Sequence, residues 1–154
     1  MNRRLLLCAA ALVPWAVYAD QPATLPTATD LRQLAAESAR TGSPIVLLFS
    51  TPGCPYCAEV RRNYLMPRLS ETPDRLLLRE VDITSPASLI DFDGSATTLQ
   101  AFAGRHAVRV VPVVMAFDRR GRPIGDALVG LDRSGFYEGY LQNLIDGARQ
   151  QAKR

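Results

Sequence analysis

The residues best suited to chemistry in this chain are two cysteines, Cys54 and Cys57, which flank Pro55 and Tyr56. Residues three apart lie on one face of a helix, so two sulfurs at this spacing can meet where a helix begins. A helix N-terminus carries unpaired backbone N–H groups that stabilise a cysteine thiolate. The spacing therefore favours a dithiol that cycles with a disulfide.

A third cysteine, Cys8, lies in a segment that we expect to be removed. Residues 1–19 carry two arginines at positions 3 and 4, continue in a short apolar run and end at the small-residue site Val17-Tyr18-Ala19. This order is typical of a secretory signal peptide, and the apolar run is about half the ~20 residues that span a bilayer. We expect cleavage after residue 19, a periplasmic or otherwise exported mature protein, and no membrane-spanning segment in it. The alternatives are a membrane anchor and lipidation at Cys8.

Charge and composition exclude several classes of protein. The 154 residues carry 18 Lys+Arg and 15 Asp+Glu, a formal net charge of +3, and two of the arginines lie in the predicted signal peptide. The mature chain is therefore nearly neutral, and it has no basic cluster interleaved with aromatic residues, so no nucleic-acid partner is expected. Its composition indicates a single globular domain instead of a disordered or polytopic membrane protein.

Two other roles for the cysteine pair are weaker than the redox role. A disulfide between Cys54 and Cys57 closes a very small loop and constrains the unfolded chain little. A structural zinc site needs four ligands, and beyond these cysteines the mature chain offers one histidine, His106. A metal shared across a dimer remains an alternative, but we expect no metal and no cofactor.

The sequence around the cysteines predicts the elements that position them. The continuous apolar run at Pro44–Phe49 predicts a strand buried on both faces, and Ser50–Gly53 predicts a turn. A helical pattern starts at Cys54 and is kinked or ended by Pro67. Pro55 suits the first helical turn, where its missing N–H is not needed.

The rest of the chain predicts a three-layer α/β domain at residues 30–150, after an N-terminal arm at 20–29. The further predicted elements are a helix capped by Asp30, a strand at Arg75–Thr84, a turn-rich segment at Ser85–Ser95, a helix from Thr97 or Thr98 to His106, a strand at Val108–Phe117 interrupted by Pro112, a turn at Asp118–Gly121, a strand at Ile124–Val129 and a helix from Asp132 or Ser134. The last helix carries an apolar stripe predicted to be core: Phe136, Tyr137, Tyr140, Leu141, Leu144 and Ile145. This order implies parallel central strands, an antiparallel hairpin at one edge and helices on both faces.

Three features in order resemble the thioredoxin-like superfamily over residues 30–148. They are Cys54-Pro55-Tyr56-Cys57 after a buried strand, Val108–Pro112 before an apolar strand, and Gly130 between the last strand and the last helix. With the export signal and the acidic Asp91–Gly94 segment, the chain most resembles the periplasmic thioredoxin-related proteins associated with sulfur oxidation. The resemblance implies the three-layer thioredoxin fold, with a central mixed sheet and helices on both faces.

The resemblance also implies roles for individual residues. Pro112 is expected to be cis and to pack against the cysteines, while the backbone of Val111 pairs with an extended substrate segment. Tyr56, beside Pro55, is expected to be exposed and to contact partners. At the predicted helix start, Cys54 is the attacking nucleophile and Cys57 the resolving thiol. His106 is expected to end a helix and not to act as a base.

Two positions depart from the family pattern. Gly53 stands where thioredoxins usually have tryptophan, and Leu48 stands where they bury an acid that helps to deprotonate the resolving thiol. Glu80 or Asp82, on the neighbouring predicted strand, is a candidate to replace that acid, and an exposed charge at a strand end is the alternative.

The sequence thus predicts a monomeric, exported thiol–disulfide oxidoreductase. We expect a reductase of protein disulfides that receives electrons from a membrane thiol transporter. The alternatives are a periplasmic disulfide oxidase or isomerase, and a thioredoxin-fold binding protein or chaperone with little redox turnover. A metallochaperone is a more distant alternative.

Overall fold

A computed structural model describes residues 24–69 and 75–153, so the predicted signal peptide lies outside the described residues. The elements are α1 (Leu31–Thr41), β1 (Ile45–Ser50), α2 (Pro55–Val60), β2 (Leu77–Asp82), β3 (Ser88–Ile90), β4 (Ala96–Thr98), α3 (Leu99–Arg105), β5 (Val113–Phe117), β6 (Pro123–Val129) and α4 (Tyr137–Ala152). A π-helical turn (Arg61–Leu65) and a 3-10 turn (Met66–Leu69) continue α2, so its α-helical part ends before Pro67, as predicted. Within the described residues, no helix has the length and apolar character needed to cross a membrane.

The central sheet is mixed, with the order β2-β1-β5-β6. Strand β1 pairs in parallel with β2 and antiparallel with β5, and β6 pairs antiparallel with β5. Every residue of β1 is buried, because helices cover both faces of the sheet. The predicted antiparallel hairpin at one edge is confirmed. The prediction of parallel central strands is only partly right, because the parallel pair joins β1 to the edge strand β2, whereas the two central strands, β1 and β5, are antiparallel.

The end of the N-terminal arm lies along the outer edge of β2. Ala28 donates its N–H to the carbonyl of Glu80 at 2.8 Å, and Glu80 donates to the carbonyl of Pro26 at 2.9 Å. Leu25 and Ala28 are buried, so the arm contributes apolar contacts as well as backbone hydrogen bonds. It thereby covers an edge that would otherwise leave unpaired N–H and C=O groups.

The alternating side chains of β1 divide the core into two halves. Ile45, Leu47 and Phe49 pack with α1 and α3 on one face. Val46 and Leu48 pack with α2 and α4 on the other face. Since successive residues of a strand point to opposite faces, one short apolar strand supplies the centre of all three layers.

The helix caps follow the sequence pattern. The side chain of Asp30 accepts a hydrogen bond from the N–H of Gln33 at 2.7 Å, and α1 ends at Gly42 with φ +71°. The hydroxyl of Thr98 accepts from the N–H of Ala101 at 3.1 Å and starts α3. Asp and Thr satisfy N–H groups that a helix start leaves unpaired, which confirms both predicted helix starts.

The turn-rich segment at Ser85–Ser95 is more regular than predicted. It contains β3, which pairs antiparallel with β4 in a separate two-stranded sheet. The turn is closed by a hydrogen bond from the N–H of Asp91 to the carbonyl of Ser95 at 2.9 Å, with Gly94 at φ +86°. Each strand has only three residues, too few for an alternating apolar pattern to be visible in the sequence.

The strand predicted at Val108–Phe117 is wrong in its first half, since β5 begins only at Val113. The Val111–Pro112 peptide bond is cis, and Pro112 has no N–H to donate to a neighbouring strand. The carbonyl of Pro112 accepts instead from the N–H of Gly130 at 2.8 Å. The strand propensity of Val108–Val111 is therefore overruled by the proline that follows.

The last helix begins later than predicted and buries a narrower stripe. The carboxylate of Asp132 accepts from the N–H of Ser134 at 2.8 Å in a turn, and Gly135 has φ +94°, so α4 starts at Tyr137. Phe136 is 63% exposed and Tyr140 51% exposed, which makes the prediction that they are core wrong. The other four residues of the stripe, Tyr137, Leu141, Leu144 and Ile145, are buried.

Phe102 is the centre of an aromatic cluster between α3 and the sheet. Its ring lies 6.1 Å from the rings of both Phe49 and Phe117 and is fully buried. We predict that Phe102→Ala lowers the free energy of unfolding by about 3–5 kcal/mol, because it leaves a cavity in a closed core. Phe136→Ala removes an equally large but exposed ring and should change it by no more than about 0.5 kcal/mol. Urea unfolding compares the two, and similar losses would contradict the assignment of the core.

His106 ends α3 as predicted and packs on this cluster, 4.6 Å from the ring of Phe102 and 5.0 Å from that of Phe117. Burial, and secondly the charge of Arg105, lower the pKa of His106 below 6.5. The unfolded chain therefore binds this proton more readily, so the contribution of His106 to stability is complete above pH 6.5 and is lost as the pH falls through the folded-state pKa.

We predict that His106→Gln flattens the pH dependence of the unfolding free energy between about pH 7.5 and about pH 5.5. Urea unfolding of the wild type and the variant across this range measures the difference. Parallel curves for the two proteins would show that His106 contributes nothing to the pH dependence.

Candidate active site at the Cys54–Cys57 disulfide

Cys54 and Cys57 form a disulfide at the start of α2. Strand β1 ends at Ser50, and a short turn brings the chain to Cys54, which is the N-cap residue of the helix. The sulfur of Cys54 accepts a hydrogen bond from the N–H of Cys57 at 3.1 Å. Pro55 occupies the first helical position, as predicted. The backbone thus directs a donor at the sulfur of Cys54.

The two sulfur-bearing residues differ in exposure. Cys54 is half-buried, whereas Cys57 is completely buried beneath the helix. A bulky partner therefore has access to Cys54 alone.

The backbone conformation at position 53 accounts for the glycine that stands there in place of the usual tryptophan. Its φ is +74°, a left-handed conformation that glycine adopts without strain and that a residue with a Cβ adopts at a cost. Nothing lies within 4 Å of the position that a Cβ would occupy, so the backbone conformation and not a lack of space favours glycine.

The residues predicted to bind substrate lie at the same end of the sheet as the disulfide. Val113 pairs with Phe49, which places Pro112 beside the end of β1 that leads to Cys54. Pro112 is buried and Val111 half-buried. Tyr56 is 50% exposed, as predicted, and the guanidinium of Arg133 lies 5.6 Å from the centre of its ring.

A cleft of ≈610 Å³ opens beside the disulfide, between α2, β2 and the N-terminal arm. The helical segment from its N-cap to the π-helical turn contributes Cys54, Pro55, Ala58 and Arg61, of which Cys54, Ala58 and Arg61 follow each other at the spacing of one helix face. The facing wall carries Glu80 and Asp82 from β2. Thr24, Leu25 and Thr27 of the arm, together with Ser50 at the end of β1, also line the cleft.

Glu80 lies directly beside the position where the family's buried acid is missing. It is the register partner of Leu48 across the β1–β2 pair. Its side chain is only 15% exposed, accepts a hydrogen bond from the hydroxyl of Ser50 and receives two from Arg61, one of them from Nε at 3.0 Å. The alternative of an exposed charge at a strand end is therefore wrong for Glu80.

Asp82, the other candidate, has a different environment. Its carboxylate accepts from the N–H of Thr84 at 2.9 Å and from the Thr84 hydroxyl at 2.7 Å, which closes the turn after β2. It lines the cleft but takes part in a local turn, whereas Glu80 joins β2 to the helix that carries the cysteines.

Arg61 is the site residue that the sequence analysis missed. It lies four residues after Cys57, and this spacing was the available signal because it places Arg61 on the helix face that Cys57 begins. In the structure its side chain is 19% exposed and paired with Glu80. A sequence alone does not show which strand supplies the partner of such a cation.

His106 lies away from the disulfide. It packs on Phe117, which pairs with Ile45 at the start of β1, whereas Cys54 follows the end of that strand.

In the part of the chain that the structure describes, no three His, Cys, Asp or Glu residues are grouped so that they could hold a metal ion.

Comparisons with solved structures show the same fold in several proteins. A thioredoxin-fold protein from Helicobacter pylori shares 20% identity with a TM-score of 0.52, and the match covers 71% of this chain and 73% of that one. Fasciola hepatica thioredoxin shares 17% with a TM-score of 0.53, covering 80% and 99%. Oxidised mitochondrial thioredoxin 3 from Saccharomyces cerevisiae shares 17% with a TM-score of 0.51, covering 79% and 93%.

The family itself is shown by the sequence. No curated protein is significantly similar to this chain. The model of the family described as the thioredoxin-like domain, however, matches residues 31–144, which includes the disulfide, the cis proline and every element of the central sheet. A mixed α/β fold with a disulfide at the start of the helix after its central strand agrees with that match. The chain belongs to the family of thioredoxin-like domains.

Proposed function

We propose that this protein is an exported thiol–disulfide oxidoreductase that reduces protein disulfides through Cys54 and Cys57. The observation that carries the proposal is the asymmetry of the pair, with Cys54 half-exposed at a helix start and Cys57 buried behind it. A thiolate at Cys54 keeps the N–H of Cys57 as a donor, and a hydrogen bond to the charged form lowers the pKa of a thiol.

The reaction proceeds in two exchange steps. The thiolate of Cys54 attacks one sulfur of a substrate disulfide, forms a mixed disulfide with it and releases the other substrate sulfur as a thiolate, which takes a proton from water. Cys57 then loses its proton and attacks Cys54, so that the Cys54–Cys57 disulfide forms and the second substrate thiol leaves. Two electrons pass from the protein to the substrate.

The surface around Cys54 suits a polypeptide substrate. Pro55 and Tyr56, which follow Cys54 directly, are both exposed, Tyr56 by 50%. Val110, two residues before Pro112, is 60% exposed. The backbone at Val111, just before the cis bond to Pro112, is proposed to pair with an extended substrate segment next to the disulfide. A reductase of this kind needs a thiol donor, and the predicted signal peptide favours a membrane thiol transporter on the exported side.

Exposed apolar residues favour one second candidate function, a binding protein or chaperone with little turnover. Val110 and Phe136 offer apolar surface that an unfolded segment would cover, independently of the cysteines. Partner binding that persists when both Cys54 and Cys57 are serine, together with negligible turnover by the wild type, would favour this candidate.

The equilibrium potential of the Cys54–Cys57 pair tests the direction of electron flow. A reductase has a potential near that of thioredoxin, about −270 mV, whereas a strong oxidase has one near about −120 mV.

We predict that Cys54→Ser abolishes insulin-disulfide reduction, because the other cysteine among the described residues, Cys57, is completely buried and cannot reach the substrate. Cys8→Ser is the matched control and should retain full activity, since Cys8 lies in the predicted signal peptide. Turbidity of the precipitating insulin chains measures the rate. Full activity in Cys54→Ser would sink the proposed function.

The difference in burial also predicts an order of alkylation. After reduction, iodoacetamide at neutral pH should modify Cys54 well before Cys57, since only Cys54 combines access with a stabilised thiolate. Mass mapping of quenched samples gives the order. Equal rates at the two positions, or faster modification of Cys57, would reverse the assignment of nucleophile and resolving thiol.

A further inference from the structure

Beside the disulfide, a charge pair joins the helix of the cysteines to the edge of the sheet. Arg61 and Glu80 are 19% and 15% exposed, and Glu80 is further held by the hydroxyl of Ser50. Withdrawing two charges from water is costly unless they are paired and hydrogen-bonded, which this arrangement achieves.

The pair lies on the same cleft as the sulfur that we assign as nucleophile. Cys54, Ala58 and Arg61 follow at positions i, i+4 and i+7 of the helical segment, and all three line the cleft that Glu80 closes from the opposite side. Among the described residues that line it, the charged ones are Arg61, Glu80 and Asp82, and the N-terminal arm adds only uncharged side chains there. A charge that appears at Cys54 on reduction therefore shares this cleft with these three charged groups.

We propose that the Arg61–Glu80 pair sets the reactivity of Cys54, with Glu80 as a positioning residue that holds the guanidinium in the cleft and balances its charge. The inference rests on the proposed role of Cys54 as the thiolate nucleophile. In the disulfide state the sulfurs are uncharged, whereas in the reduced state Cys54 carries a negative charge beside the pair. Arg61 stabilises that charge, and Glu80 opposes part of this stabilisation.

The charges of Arg61 and Glu80 therefore have opposite effects on the stability of the Cys54 thiolate. Without the charge of Glu80, an unbalanced guanidinium faces Cys54, so the reduced form is stabilised and the pKa of its thiol falls. Without the charge of Arg61, an unbalanced carboxylate faces Cys54, so the disulfide form is favoured and the pKa rises. A pair that serves only to join α2 to β2 would lower stability in both variants and would not shift the exchange equilibrium in opposite directions.

The test measures the equilibrium of the full chain with glutathione, in a Cys8→Ser background so that two thiols are counted. In this exchange two glutathione thiols reduce the Cys54–Cys57 disulfide and form one glutathione disulfide. For Glu80→Gln we expect an equilibrium shift of about tenfold toward the dithiol, equivalent to about 30 mV. For Arg61→Gln we expect a shift of similar size toward the disulfide, and for the double variant a return to within about threefold of the wild type.

Controls separate this inference from structural damage and from the proposed function. Asp91→Asn breaks a comparable ion pair with Arg105, with the acid 16% exposed, and should leave the equilibrium unchanged. The absorbance of the thiolate near 240 nm, followed against pH, should give a lower pKa for Cys54 in Glu80→Gln and a higher one in Arg61→Gln. If Arg61→Gln does not fold, Glu80→Gln and the control still decide the question.

Shifts in the same direction for both variants, or a change of less than about twofold in Glu80→Gln, would overturn the inference. The equilibrium is measurable whether or not the protein turns over insulin. Failure of the wild type in the insulin assay therefore counts against the proposed function, whereas unchanged equilibria in an active protein count against the role of Arg61 and Glu80 alone.

Discussion

The burial of β1 on both faces is the constraint on which the rest of the structure depends. Its six residues are completely enclosed, so the strand has to lie in the middle of a sheet with a helix layer on each side. After β1 the chain returns to the surface in the turn that follows Ser50, where Pro52 and Gly53 are exposed. The first helical turn beyond it carries Cys54 and Cys57, so the disulfide lies where the buried central strand leads back to the surface.

The same constraint explains how the acid next to the cysteines is supplied. Position 48 points toward α2 and is filled by leucine, which leaves an apolar floor beneath the helix. Leu48 has two register partners, the buried Val114 on β5 and Glu80 on β2, and Glu80 lies at the edge of the core instead of its centre. A carboxylate there can be paired with Arg61 and Ser50, so its desolvation is offset without a charge in the middle of the sheet.

The sequence predicts what depends on long apolar runs and on caps, and misses what depends on contacts between distant segments. The buried run at Pro44–Phe49, the Asp30 cap and the cysteine pair at a helix start are all read from local pattern, and the structure has each of them. The β3–β4 hairpin is too short for a periodic signal, and the turn at Asp132–Gly135 displaces the start of α4. The Arg61–Glu80 pair joins residues 19 apart in sequence, on a helical turn and on a strand, so no local pattern reveals it.

Cys54 and Cys57 are three residues apart and have unequal roles, and the sharpest test of this difference is to trap a mixed disulfide. In Cys57→Ser, in the Cys8→Ser background, attack by Cys54 has no resolving step. A disulfide-containing peptide should therefore remain covalently bound in near-stoichiometric amount, on Cys54 by mass mapping. The corresponding Cys54→Ser protein should trap little, because Cys57 is buried. Equal trapping by both proteins, or trapping by Cys57 alone, would show that Cys54 is not the dedicated nucleophile.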